Sequence, residues 1–124
     1  MFVGKIKGSN GGRIRFRRYP SGETAIEVMA TDGSGETEFI PTAALVDYGA
    51  PDPGERGVYL KNYSGNEGAV QALVDSGIVE LTGLKVNNGY VDFFHANLTD
   101  MAWEELQRQL GSEGGETNAS QGGL

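Results

Sequence analysis

The sequence predicts an α+β domain: an antiparallel N-terminal β-meander packed with one central short helix, a C-terminal β-hairpin and a closing amphipathic helix. Three observations carry that prediction. Between residues 2 and 40, apolar and polar residues alternate in four short runs separated by glycine-bearing turns, the pattern of strands with one covered face. Val58 to Gly77 reads as a covered strand, a tight polar loop and a helix that stops on glycine. Asn87-Asn88-Gly89 lies between two β-type runs, and Trp103, Leu106 and Leu110 form a helical stripe behind them.

In chain order, Phe2 to Lys7 alternates with Phe2, Gly4 and Ile6 on one face and Val3, Lys5 and Lys7 on the other. Residues 8–12 read as a loop or turn. Arg13 to Tyr19 sets Ile14 and Phe16 against Arg13, Arg15 and Arg17, and Tyr19-Pro20-Ser21-Gly22 has the proline and glycine positions of a β-turn. Glu23 to Ala30 is a third strand, with Thr24, Ile26 and Val28 opposed to Glu23, Ala25, Glu27 and Met29. Glu36 to Ile40 is a fourth. If the apolar faces all point inward, the basic residues of the first two strands face Glu23, Glu27, Glu36 and Glu38 across a self-neutralising outer surface.

Pro41 to Tyr48 reads as one or two helical turns, with a continued strand as the alternative, and Gly49 to Gly57 is a loop carrying Pro51 and Pro53. Ser64 stands three residues ahead of Glu67, the spacing of a capping box, which starts the central helix near Gly65. Ile78 to Leu81 and Leu84 to Val86 are strand pieces around Thr82-Gly83. Asn88-Gly89 is the expected two-residue turn, and Tyr90 to Leu98 returns. Thr99 or Asp100 opens the last helix, Glu104 and Arg108 are spaced as an ion pair, and Gly111 ends it. The globular unit is therefore read as 1–110. Residues 111–124, polar and rich in glycine, are read as a disordered tail.

A chain of 124 residues has room for one modest core. Without cysteine it has neither disulfides nor a thiol nucleophile. No apolar run spans a membrane and no secretory signal opens the chain, so the expected location is the cytoplasm. The three Asn-X-Ser/Thr patterns at Asn62, Asn97 and Asn118 then carry no weight. The net charge of -7 disfavours nucleic acid as main partner. Yet six of the ten basic residues precede the first acid, Glu23.

No catalytic residues, metal site or cofactor are assigned. His95, the only histidine, sits among Phe93, Phe94 and Ala96 and reads as a hydrogen-bonded structural residue. Two candidate surfaces remain. Lys61, Asn62, Ser64 and Asn66 line a strand-loop-helix turn that could receive a small anion, phosphorylated or nucleotide-like. The phosphate-loop and dinucleotide patterns are missing there, and Glu67 opposes the anion. Arg13, Arg15 and Arg17 form a basic strand that could contact nucleic acid. The reading that absorbs most of these features is a non-enzymatic binding or regulatory module for a protein partner. The small-anion and nucleic-acid binders are its alternatives, and an enzyme comes last.

Overall fold

The structure, a computed structural model, describes residues 1–4, 12–31, 33–61 and 68–114. Its elements in chain order are β1 (Phe2–Val3), β2 (Gly12–Arg18), β3 (Thr24–Met29), β4 (Thr37–Phe39) and β5 (Thr42–Ala43). A single 3-10 turn (Val46–Tyr48), β6 (Gly57–Lys61), α1 (Ala69–Asp75), β7 (Val79–Asn87), β8 (Asp92–Leu98) and α2 (Asp100–Gly114) follow. The strands form two four-stranded antiparallel sheets, ordered β1-β2-β3-β4 and β5-β6-β8-β7. This is the α+β class that the sequence predicts, with the strand meander first and a helix last.

In the first sheet the period of two does the sorting. Ile14 and Phe16 of β2 lie opposite Val28 and Ile26 of β3, and all four are fully buried. Arg13, Arg15 and Arg17 consequently share the other face. At β1 the expectation fails. Phe2 pairs with the outward Arg13, so the register sends Phe2 outward and buries Val3 instead. A one-residue choice of register inverts every side chain, and alternation alone does not fix it. Where β4 stops pairing, Thr42 of β5 takes over the edge of β3. It is fully buried, and its Oγ1 accepts the Ile26 N–H at 3.1 Å while the Tyr19 hydroxyl donates to its carbonyl at 3.0 Å. Thr42 thus joins the two sheets, and one core of buried side chains runs through both.

The stretch from Pro41 to Tyr48 divides between its two readings: Thr42–Ala43 is strand, and a single 3-10 turn follows. β6 is central to the second sheet, and Val58, Tyr59 and Leu60 are all buried. α1 begins at Ala69, later than the expected Gly65. Its N-cap is Gly68, at φ 84°, and no side chain among the described residues caps it. Ser64 and Glu67, the expected capping box, lie outside the described residues. The C-terminal end is as expected: Gly77 N–H bonds to Val74 O at 3.0 Å and Ile78 N–H to Leu73 O at 3.0 Å, a Schellman closure with Ile78 buried beneath it.

β7 and β8 form the predicted hairpin, interrupted between Leu81 and Lys85 where Thr82, Gly83 and Leu84 face only His95. Its turn is displaced by one residue. Asn88 N–H bonds to Val91 O at 3.2 Å, so Gly89 and Tyr90 are the central pair, and Gly89 takes φ 98° at the first of them. The Asn88 side chain, bonded to the amides of Tyr90 and Val91, pins the turn there.

Thr99 is the N-cap of α2, accepting the Ala102 N–H at 3.2 Å and donating to Gly77 O at 2.7 Å. Ala102 and Leu106 are buried, with Trp103 and Leu110 packed beside them. The helix continues through Gly111 to Gly114, and Arg108 pairs with Glu105 rather than Glu104. Among the described residues no helix is long and apolar enough to cross a membrane.

Near the C-terminal end of α2, Gln109 repairs an unfinished edge. β1 covers β2 only at Gly12 and Arg13, and beyond it the Gln109 carboxamide accepts the Phe16 N–H at 2.8 Å and donates to Ile14 O at 3.2 Å. A side-chain amide here does the work of a strand. Gln109→Ala is therefore expected to cost about 1–3 kcal/mol, the penalty for orphaned partly buried polar groups. Denaturant unfolding measures it, and an unmoved midpoint would mean that water substitutes for the amide.

Candidate functional site

Of the two surfaces singled out from the sequence, the structure describes the basic strand and only one residue of the loop. Of the loop residues, Asn62, Ser64 and Asn66 lie outside the described residues. Lys61 ends β6 opposite Phe93, half buried, and burial lowers the pKa of its ammonium. The helix that follows has only seven residues. Lys61 is the one member of that candidate set among the described residues.

The basic strand is organised. Arg13, Arg15 and Arg17 project from one face of β2, opposite Met29, Glu27 and Ala25 respectively. The expected cross-strand neutralisation occurs at Arg15, whose Nε and Nη2 donate to Glu27 Oε1 at 2.9 and 2.6 Å; Nη2 also reaches Thr37 Oγ1 at 3.1 Å. It does not extend to Glu23. That residue precedes the paired part of β3 and is 8% exposed. Its carboxylate turns inward and accepts the amides of Leu45 and Val46, each at 3.2 Å, and the Ser21 hydroxyl at 2.8 Å. Two backbone donors at the start of the 3-10 turn outbid a solvated arginine for this carboxylate. Arg13 places its guanidinium over the Phe2 ring, 5.9 Å from the centroid.

α2 crosses beside this face and adds what the sequence reading missed. A groove of about 890 Å³ lies between the outer face of the first sheet and the helix, and its lining includes Met1, Phe2, Arg13, Arg15, Met29 and Arg108. It is shallow and open along its length. Phe2 is 66% exposed, and Met101, close to Phe2 on the α2 side, is 57% exposed. Arg108 is held by Glu105, which Gln109 Nε2 also contacts at 2.8 Å. Nothing in the local sequence joins Arg108 to Arg13. Only the docking of Gln109 on β2 brings them together.

His95 is tied at both ring nitrogens. Nε2 lies 2.8 Å from Pro53 O, a pure acceptor, so Nε2 carries a proton, and Nδ1 lies 2.7 Å from Thr82 Oγ1. Its ring meets Tyr59 edge-on. It braces the 51–54 loop and the β7 irregularity, the structural role expected of it. Among the described residues no group of three or more histidines and carboxylates is placed to hold a metal ion. A second cleft, of about 420 Å³, lies between the β2–β3 turn and residues 52–55, with Arg18, Glu23, Asp52 and Trp103 on its walls. Trp103 is already covered by Arg56, 5.3 Å from the ring centroid, and Arg56 in turn pairs with Asp100 at 2.5 Å. Arg18 is spent on Thr24 Oγ1 at 2.6 Å.

No protein-family model matches this chain, and no curated protein and no solved structure is similar to it.

Proposed function

We propose that this chain is a non-enzymatic binding module whose partner is another protein, docked in the groove between the first sheet and α2. One observation carries the reading. The groove gathers Phe2, Met1 and Met29 with Arg13, Arg15 and Arg108, and aromatic residues, methionine and arginine are the types enriched at protein–protein interfaces. Its form supports the same reading. Small-molecule sites enclose most of their ligand, whereas this surface is broad and open. The exposed Phe2 ring, steadied from above by Arg13, has the character of an interface anchor.

The test compares immobilised full-length wild type with a Phe2→Ala/Arg13→Ala variant in a lysate of the source cells. Leu84→Ala, at a 65% exposed position on β7, serves as a control for lost apolar surface. A protein held by wild type and by the control, and released by the groove variant, is the expected result. Truncating an anchor costs about 2 kcal/mol, on the order of thirtyfold in Kd. Equal retention by all three chains would overturn the reading. Both altered side chains are exposed, so the variant is expected to keep the wild-type melting temperature.

A further inference from the structure

We infer that the segment docking in this groove is acidic and extended, an inference that rests on the protein-binding reading above. The groove gathers three arginines on a chain of net charge -7. Arg13, Arg15 and Arg108 line it against Glu105, and Arg17, exposed and opposite Ala25, continues the row along β2. Because the three β2 arginines occupy alternate positions of one strand, they recur about every 6.7 Å, twice the rise per residue. Alternate side chains on one face of any extended segment recur at the same interval. Carboxylates on one face of a partner strand therefore meet this row in register; Arg15 is already held by Glu27, so the new pairs form at Arg13 and Arg17, and an Arg–carboxylate pair is a strong, often bidentate contact. The exposed Phe2 at the end of the row supplies the apolar contact that such a segment needs for affinity, with charge setting its direction and specificity.

The same features disfavour a nucleic acid. Glu27 and Glu105 already hold Arg15 and Arg108, so among the described residues only Arg13 and Arg17 of this set are without a carboxylate, too few for a backbone that carries a charge on every nucleotide. A continuous phosphate backbone running past the groove is opposed by the chain's net charge of -7. A short carboxylate segment ends where the positive row ends.

The experiment is an anisotropy titration of the full chain with three labelled probes at physiological salt. The first is a soluble peptide with glutamate at alternate positions around one phenylalanine, the second its lysine counterpart, and the third a mixed-sequence single-stranded DNA. The glutamate peptide is expected to bind about tenfold tighter than either competitor. Arg13→Ala/Arg17→Ala, which leaves the Arg15–Glu27 pair intact, is expected to weaken it by about tenfold, the scale of one close charge contact. Equal binding of the two peptides, tighter binding of the DNA, or an unaffected double variant would each overturn the inference. Capture of a groove-dependent partner from lysate together with equal peptide binding would remove the acidic segment and leave the binding-module reading standing. Tight glutamate-peptide binding that survives Phe2→Ala/Arg13→Ala would place the acidic site outside the groove and overturn the inference, leaving the binding-module reading to the lysate comparison.

Discussion

Gly57→Ala is expected to destabilise the fold by about 3 kcal/mol, at or beyond the usual upper end for overpacking. A Cβ at this position stands 1.7 Å from Pro53 O, 2.4 Å from Pro53 C and 2.9 Å from His95 Nε2. The obstacle is backbone, not the end of a flexible side chain, so relief requires the 51–54 loop to move away. That loop is held in three places. Gly57 N–H bonds to Gly54 O at 3.0 Å, the Tyr59 hydroxyl donates to Pro51 O at 2.5 Å, and His95 Nε2 lies 2.8 Å from Pro53 O. Displacing the loop breaks these contacts. Leaving it in place keeps the clash. For a domain of this size the loss corresponds to a fall in Tm on the order of 10 °C. Thermal and denaturant unfolding of the variant measure it, and a midpoint within about 0.5 kcal/mol of wild type would show that the loop yields without cost. The groove lies on the first sheet, so its binding is expected to persist in whatever fraction remains folded.

What the sequence made legible is what short-range rules decide. Alternation placed Ile14, Phe16, Ile26 and Val28 in the core because a strand offers only two faces. Thr99 announced α2, and Gly77 closed α1, because caps answer to the local backbone. The misses share another cause. Phe2 turned outward because strand pairing with Arg13, distant in sequence, sets its face. α1 starts at Ala69 because Gly68 adopts a left-handed conformation that a continuous helix cannot include. α2 runs past Gly111 because one glycine weakens a helix by only about 1 kcal/mol and does not by itself stop it. The groove was half legible. Arg13, Arg15 and Arg17 stood out by charge and spacing, whereas Phe2, Met29 and Arg108 join them only through tertiary packing.

Glu23→Ala is expected to cost about 3 kcal/mol, and the reason is the long-range choice that the sequence concealed. Glu23 had every local mark of a surface acid: a turn position, alternation with Glu27, and arginines on the neighbouring strand. In the folded chain its Oε1 accepts the Leu45 amide, and its Oε2 accepts the Val46 amide and the Ser21 hydroxyl. It therefore ties the β2–β3 turn to the 3-10 turn and closes the chain that enters the second sheet beyond Thr42. A hydrogen bond to a charged group contributes about 1.5–3 kcal/mol, and alanine leaves two backbone donors in a partly buried place without their acceptor. Glutamine keeps the shape but has one acceptor oxygen, so whichever way its amide is turned, one of the two backbone donors faces an NH2 group. Glu23→Gln is expected to lose roughly half as much as Glu23→Ala, and Ser21→Ala less again, since it removes one hydroxyl donor to the carboxylate and a long, 3.5 Å acceptor of the Glu23 N–H. Denaturant unfolding gives the order of the three, and hydrogen exchange at Leu45 and Val46 localises the effect, with both amides losing protection in the alanine variant. Were Glu23→Gln as stable as wild type, or were the two amides to exchange unchanged in Glu23→Ala, the inward carboxylate would not be what fastens this corner of the fold.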